Sequence, residues 1–197
     1  MTDERRWPRI PKLIVFDLDF TLWYPEMYEL VGAPFRRNKH GVVSARDGEE
    51  VHLFDDAHAV LTEIASLPEF RETQVAVASS TTYPHWAREC MSLIQVRNAE
   101  MPKKNKKTKE AKVLNAFIDY QAIYPKNKKV HFKQLHEESG VPYEDMLFFD
   151  NEHYNIVNVQ QLGVVCAYCP DGLSYQVWRE GMDRFQSKEA FNGAEDY

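Results

Sequence analysis

The stretch Lys12-Leu13-Ile14-Val15-Phe16-Asp17-Leu18-Asp19-Phe20-Thr21-Leu22 restricts the architecture more than any other part of the chain. Its unbroken apolar run reads as a strand buried on both faces, the habit of parallel sheets flanked by helices. The strand runs out into two carboxylates two residues apart. In open α/β sheets ligands bind in the crevice beyond the carboxyl ends of the strands, and the two-residue period sends Asp17 and Asp19 to one side while Leu18 turns to the other. Two acids in one pocket repel each other unless a proton or a cation lies between them. With oxygen ligands and no His or Cys nearby, the donor set favours magnesium over zinc. Taken alone, the Asp-x-Asp pair also fits a strand followed by an Asx-type turn, so its meaning depends on the rest of the chain.

Apolar content of 44% over 197 residues suffices for one full core, so the reading is a single domain over 1–197. The net charge of −6 argues against nucleic acid or an acidic membrane as a whole-surface partner. No run approaches the roughly 18 apolar residues of a membrane span, and no apolar segment follows Met1-Thr2-Asp3-Glu4-Arg5-Arg6, so a cytoplasmic protein is expected. Cys90, Cys166 and Cys169 are too few and too scattered for a disulfide framework and read as structural thiols.

Asp47-Gly48, between Val42–Ala45 and Glu49–Phe54, predicts a two-stranded hairpin, here a flap of about residues 22–54. Asp55 or Asp56 is placed as the cap of a helix carrying Val60, Leu61, Ile64 and Leu67 on one face and ending before Pro68. Thr73–Ala78 is a second strand. It ends in Ser79-Ser80-Thr81-Thr82 before a helix begun at Pro84, an arrangement that offers N–H and O–H donors to an anion or simply caps the helix.

The segment from Lys103 to Lys112 reads as a solvated loop leading into a helix with Val113, Leu114, Phe117 and Ile118 on one face, or as a docking patch for an acidic partner. Tyr120–Ile123 is a short strand. Lys126, Lys128 and Lys129 open the next helix, which carries Val130 and Leu135; cations at the positive end of the dipole imply an anion between them. Met146–Asp150 repeats the opening pattern of an apolar strand delivering an acid. A helix through Ile156 and Val159, a strand at Val164–Tyr168 and a helix marked by Tyr175, Trp178, Met182 and Phe185 complete the chain, with residues from Lys188 onward read as frayed.

Strands alternating with helices predict a mainly parallel, Rossmann-like sheet with helices on both faces. Strand ends, or the turns after them, carry Asp17/Asp19, Ser79, Lys128 and Asp150 in order. This order, with Val15-Phe16-Asp17-Leu18-Asp19-x-Thr21-Leu22-Trp23, Ala78-Ser79-x-Thr81, Tyr124-Pro125-x-x-Lys128 and Phe148-Phe149-Asp150-x-Glu152-x-x-Asn155-Ile156-Val157, resembles the haloacid dehalogenase superfamily. Within it the chain is similar to the magnesium-dependent phosphatase family, whose members carry a short flap in place of a large cap. Two departures stand out: the lysine-rich stretch near 98–112 looks like an insertion, and Asn151 stands where the family shows a second aspartate.

The resemblance implies a Mg2+-dependent phosphomonoesterase. Asp17 would be the nucleophile and Asp19 the general acid and base. Leu18, Ser79, Ser80 and Lys128 would bind the phosphoryl group, and Asp17, Asp19 (through its main-chain carbonyl) and Asp150 would hold the metal. Expected substrates are a phosphorylated protein, above all phosphotyrosine, or a small phosphate ester such as a sugar phosphate or a phosphorylated glycated amine. A binding module that docks acidic partners through the lysine-rich segment is the alternative of another class.

Overall fold

The computed structural model describes residues 7–97 and 113–187. β1 (Leu13–Phe16) leads into a flap that holds β2 (Trp23–Tyr24), β3 (Arg36–Arg37), β4 (Val43–Ser44) and β5 (Glu50–Leu53). There follow α1 (Asp55–Ser66), β6 (Gln74–Ser79), α2 (Pro84–Leu93), β7 (Tyr120–Ile123), α3 (Lys128–Ser139), β8 (Met146–Asp150), α4 (His153–Gln160), β9 (Val165–Tyr168) and α5 (Tyr175–Ser187). The central sheet has the order β7-β6-β1-β8-β9, and all its pairings are parallel.

Strand alternation decides which helices cover which face. Leu13 and Val15 pack in one cluster with Phe132 and Leu135 of α3 and Ile156 and Val159 of α4. Ile14 and Phe16 pack in the other with residues of α1, α2 and α5. There Phe16 stacks on Phe149 at 5.3 Å between centroids, and Phe149 meets Trp178 at 5.7 Å. Burying each such ring is worth about 1.5–3 kcal/mol. Gly181 lets α5 lie this close, because a Cβ there would sit 2.8 Å from the Phe149 ring.

Asp17 is in phase with Leu13 and Val15, so it emerges on the side of α3. Its N–H donates to Phe149 O at 2.9 Å and carries the β1–β8 ladder one residue past the strand. The chain leaves β1 for β6 on one side and reaches β8 on the other. The crevice at this change of direction is bounded by the ends of β1, β6 and β8.

Several expectations are corrected. The flap is a four-stranded antiparallel sheet of order β2-β5-β4-β3, not a two-stranded hairpin, although Gly48 takes the expected turn at φ +97°. The helix expected from Val113 is a single 3-10 turn, Leu114–Phe117, because Leu114 N–H donates to Ile94 O and Val113 bridges Gln95. Val130 faces solvent on α3. Neither Asp55 nor Asp56 caps α1, whose N-cap is Phe54. Asp55 instead pairs with Arg97, and Asp56 accepts from Tyr175 N, binding the first turn of α5. The three cysteines are buried and unpaired, and burial holds their thiols above the ordinary range. The stretch from Lys103 to Lys112 and the residues after Ser187 lie outside the described part. Among the described residues no helix is long and apolar enough to cross a membrane.

Candidate active site

The first turn of α3 places one cation at the centre of the crevice. Asn127 caps the helix by accepting from Lys129 N at 2.9 Å, and His131 Nε2 donates to Tyr124 O at 2.9 Å, which fixes the preceding turn. Lys128 therefore enters the crevice from a rigid base. Its ammonium bridges the expected residues, donating to Asp17 Oδ1, to the carbonyl of Ala78 at the end of β6, and to Asp150 Oδ2 at 3.2 Å. The cost expected for a lysine at the positive end of a helix is offset by these two carboxylates.

Asp150 is fully buried and held at both oxygens. Oδ1 accepts from Glu152 N at 2.7 Å and Asn155 Nδ2 at 3.1 Å, and Oδ2 accepts from Asn155 Nδ2 at 3.0 Å. Burial pushes the Asp17 carboxyl up to about 8, with Lys128 pulling down and Asp150 and Asp19 adding to the rise. Burial opposes charge on Lys128 too, but Asp150 and Asp17 outweigh it and hold the ammonium above its ordinary range. One cation for two buried carboxylates leaves one negative charge over, which a proton on Asp17 or a bound cation must offset.

Asp19 points elsewhere. Its Oδ1 accepts from Trp23 Nε1 at 2.7 Å and Met27 N at 3.1 Å, so the flap is tied to the acid at two points. Burial raises the Asp19 carboxyl despite these hydrogen bonds, which suits a group that must hold a proton to give away. Among the described residues no group of three carboxylate, imidazole or thiol side chains is placed to hold a metal ion. The donors left to a cation are the carboxylates of Asp17 and Asp150, with a main-chain oxygen of Asp19 as the family pattern implies. Asp17 Oδ2 has no protein partner among the described residues. An all-oxygen set with surplus negative charge fits Mg2+.

Ser79 is 1% exposed at the end of β6, and its Oγ accepts from Thr81 N at 3.3 Å. Ser80 is exposed and donates to Lys126 O. Both line a pocket of about 220 Å³ with Asp17, Asp19, Lys128 and Asn151. Leu18 is 0% exposed and lies in the core, on the side away from Asp17 as the two-residue period implies, so its side chain does not line the pocket. Its carbonyl accepts from Thr21, Leu22 and Trp23 N, closing the turn that carries Asp19.

Sequence reasoning missed the residues that orient the acids. Trp23 and Asn155 lie within the quoted motifs, at spacings of four and five from the carboxylates they hold. Thr21 joins the first and fourth motifs, accepting from Asn151 N at 3.1 Å and donating to Asn151 Oδ1 at 3.2 Å.

Trp23→Phe should lower kcat on an alkyl phosphate about tenfold more than on p-nitrophenyl phosphate, since removing one hydrogen bond to a carboxylate is worth about 1.5–3 kcal/mol and only the poor leaving group needs the acid. Steady-state rates on the two esters check this. Equal losses would make the indole a packing residue only.

The acid phosphatase family model matches residues 9–188. Magnesium-dependent phosphatase 1 of Homo sapiens is 33% identical over 177 residues, covering 90% of this chain and 88% of that one. A haloacid dehalogenase-like hydrolase superfamily protein of Schizosaccharomyces pombe is 34% identical over 78% of this chain and 83% of its own. CbbY from Rhodobacter sphaeroides, solved with phosphate, shares the fold at a TM-score of 0.53 and 14% identity over 94% of this chain and 92% of that one. A Bacteroides thetaiotaomicron enzyme of the same superfamily, solved with magnesium, also gives 0.53, at 15% identity over 86% and 98%. Similarity along nearly the whole chain, on a sheet with its acids at the strand ends, makes this protein a magnesium-dependent phosphatase of the haloacid dehalogenase superfamily.

Proposed function

We propose that the chain hydrolyses phosphomonoesters through an aspartyl-phosphate on Asp17, with phosphotyrosine on a protein or peptide as its substrate. The observation that carries the chemistry is the buried trio Asp17, Lys128 and Asp150, a carboxylate oxygen poised beside fixed positive charge. Asp17 Oδ2 attacks phosphorus and the ester P–O bond breaks; Asp19 gives its proton to the departing oxygen, splitting hydrolysis into two easier steps. Asp19 then takes a proton from the water that attacks phosphorus of the aspartyl-phosphate, and the bond from phosphorus to Asp17 Oδ2 breaks, regenerating the Asp17 carboxylate and releasing inorganic phosphate. Bound Mg2+ supplies charge neutralisation between the nucleophile and the phosphoryl oxygens. Ser79 and Lys128 hold the phosphoryl oxygens. Since the three hydrogens of Lys128 already have acceptors, a phosphoryl oxygen must share or displace one of them, most easily the Ala78 carbonyl.

The openness of the mouth supports the protein substrate. Tyr28 is 65% exposed and lines the pocket, available to stack on an aryl ring. Comparing kcat/KM over a panel of phosphotyrosine peptides and sugar phosphates, with and without magnesium, tests the reading. A uniform preference for sugar phosphates would overturn the substrate and keep the chemistry.

Asn151→Asp should lower the half-saturating magnesium concentration on the order of fivefold with little change in kcat at saturation, because an added charge near a hard cation is worth about 1 kcal/mol where water screens it. The aspartate can still accept from Thr21 Oγ1, so geometry is kept. Magnesium titration of initial rates at fixed ionic strength measures it. An unchanged requirement would show that residue 151 does not sense the metal.

A further inference from the structure

A buried histidine behind Lys128 is not accounted for by packing. His131 lies in the first turn of α3 and is 0% exposed. Its Nε2 faces the Tyr124 carbonyl and so must carry the ring hydrogen, which leaves a lone pair on Nδ1. Among the described residues that buried atom has no hydrogen-bond partner. The Asn127 backbone nearby favours the protonated ring and so offers the lone pair no hydrogen. Burial, with the Lys128 ammonium adding to it, pushes the imidazole down to about 4, against the pull of its bond to Tyr124, so the ring is neutral in neutral solution. An orphaned nitrogen costs stability that an apolar ring of the same shape would keep.

What the imidazole secures is the turn 124–127. The Tyr124 carbonyl accepts from His131 Nε2 and from Lys126 N, both at 2.9 Å, and the rings of Tyr124 and His131 stack at 4.3 Å between centroids. The same turn is tied to the second motif at two points: Tyr124 N donates to Ser79 O at 3.0 Å, and Ser80 Oγ donates to Lys126 O at 2.9 Å. It ends at Lys128, whose ammonium returns to the carbonyl of Ala78. Ser79 and Lys128, the two groups that hold the phosphoryl oxygens, are thus spaced by one turn whose main chain His131 clamps to α3. We propose that His131 is a positioning residue for phosphoryl transfer, which sets the Ser79 hydroxyl and the Lys128 ammonium at their working separation through the Tyr124 carbonyl. It deepens the phosphatase reading above and rests on it. Misplacing such donors by about 1 Å can cost about a hundredfold in rate, which is what a clamp bought with an orphaned nitrogen guards against.

The test sets function against stability. His131→Phe keeps a stacking ring, removes both nitrogens and leaves Tyr124 O its bond from Lys126 N, so the melting temperature should stay within about 4 °C. In magnesium, the inhibition constant of orthovanadate should nonetheless rise about tenfold, and kcat/KM on p-nitrophenyl phosphate should fall by about the same factor, the scale of one lost hydrogen bond. His131→Gln returns an N–H near the place of Nε2 and should recover most of both. Magnesium affinity, measured by calorimetry without phosphate, should not change, since neither Asp17 nor Asp150 lies on the turn. Ser80→Ala, an exposed change, loosens the same turn from its other side and should weaken vanadate about threefold. Combined with His131→Phe it should cost less than the product of the single losses, because either break frees one turn. Should His131→Phe fail to fold, Ser80→Ala and His131→Gln decide. Unchanged vanadate inhibition in the Phe and Ala variants, or a loss that Gln does not restore and that follows the melting temperature, would overturn the proposal. If wild type hydrolyses no ester, the phosphatase reading falls, and the affinities of wild type and His131→Phe for inorganic phosphate decide on His131 alone: a tenfold gap keeps the clamp, and equal affinities or no binding to wild type remove it.

Discussion

Asp17→Asn should lower kcat at least about a thousandfold while the protein stays folded, because an amide oxygen is a poor nucleophile towards phosphorus and the loss of covalent catalysis costs several factors of ten. The substitution is isosteric, and the amide oxygen can still accept from Lys128. It also removes one of two buried negative charges that share a single ammonium, so the melting temperature should hold or rise. Acid quenching during turnover should leave covalent phosphate on wild type and none on the variant. Residual activity above about a hundredth of wild type would assign the nucleophile elsewhere.

Lys128→Met should be damaging in two separable ways. Losing a preorganised charge at the transferring group should cost about 2–4 kcal/mol of transition-state stabilisation, roughly 30- to 1,000-fold in kcat/KM. Leaving Asp17 and Asp150 without their shared partner should also destabilise the fold by about 3–5 kcal/mol, as breaking buried ion pairs does. Magnesium binding to the two carboxylates should then stabilise the variant more than wild type, so a chelator should widen the gap in melting temperature. Chemical denaturation with and without magnesium measures this. A gap indifferent to metal would mean that the cation does not bind between those acids. Lys129, whose Nζ donates to Gln161, and the exposed Lys126 serve as controls for the third motif.

The sheet and its acids were legible because their signal is local. Leu13–Phe16 and Met146–Asp150 are apolar runs ending in an acid, and the two-residue period alone puts Asp17 on the face opposite Leu18. Ser79 and Lys128 were legible as the residues that end one strand and begin one helix.

The four-stranded flap was not legible. β2 and β3 are two residues long, too short to show a period, and β2 pairs with Leu53 and His52 far along the chain. At Leu114–Phe117 the apolar spacing suits a helix, but a backbone hydrogen bond to Ile94 won over the local pattern. Asp55 and Asp56 look like caps from sequence and serve tertiary partners instead. The side-chain ties to Asp19 and Asp150 depend on rotamers that spacing does not determine.

The double attachment of the flap to Asp19 divides labour along a few residues. Trp23 holds the acid through its indole and Met27 through its main chain, so the attachments draw on one side chain only. Tyr24, Glu26 and Tyr28 alternate with these anchors and are half-buried or exposed, outside the core. Their side chains can be exchanged without touching either hydrogen bond that orients Asp19. The outer surface of the flap can therefore vary while its hold on Asp19 stays fixed, and redesign of that surface begins at positions 24, 26 and 28, with 23 left alone.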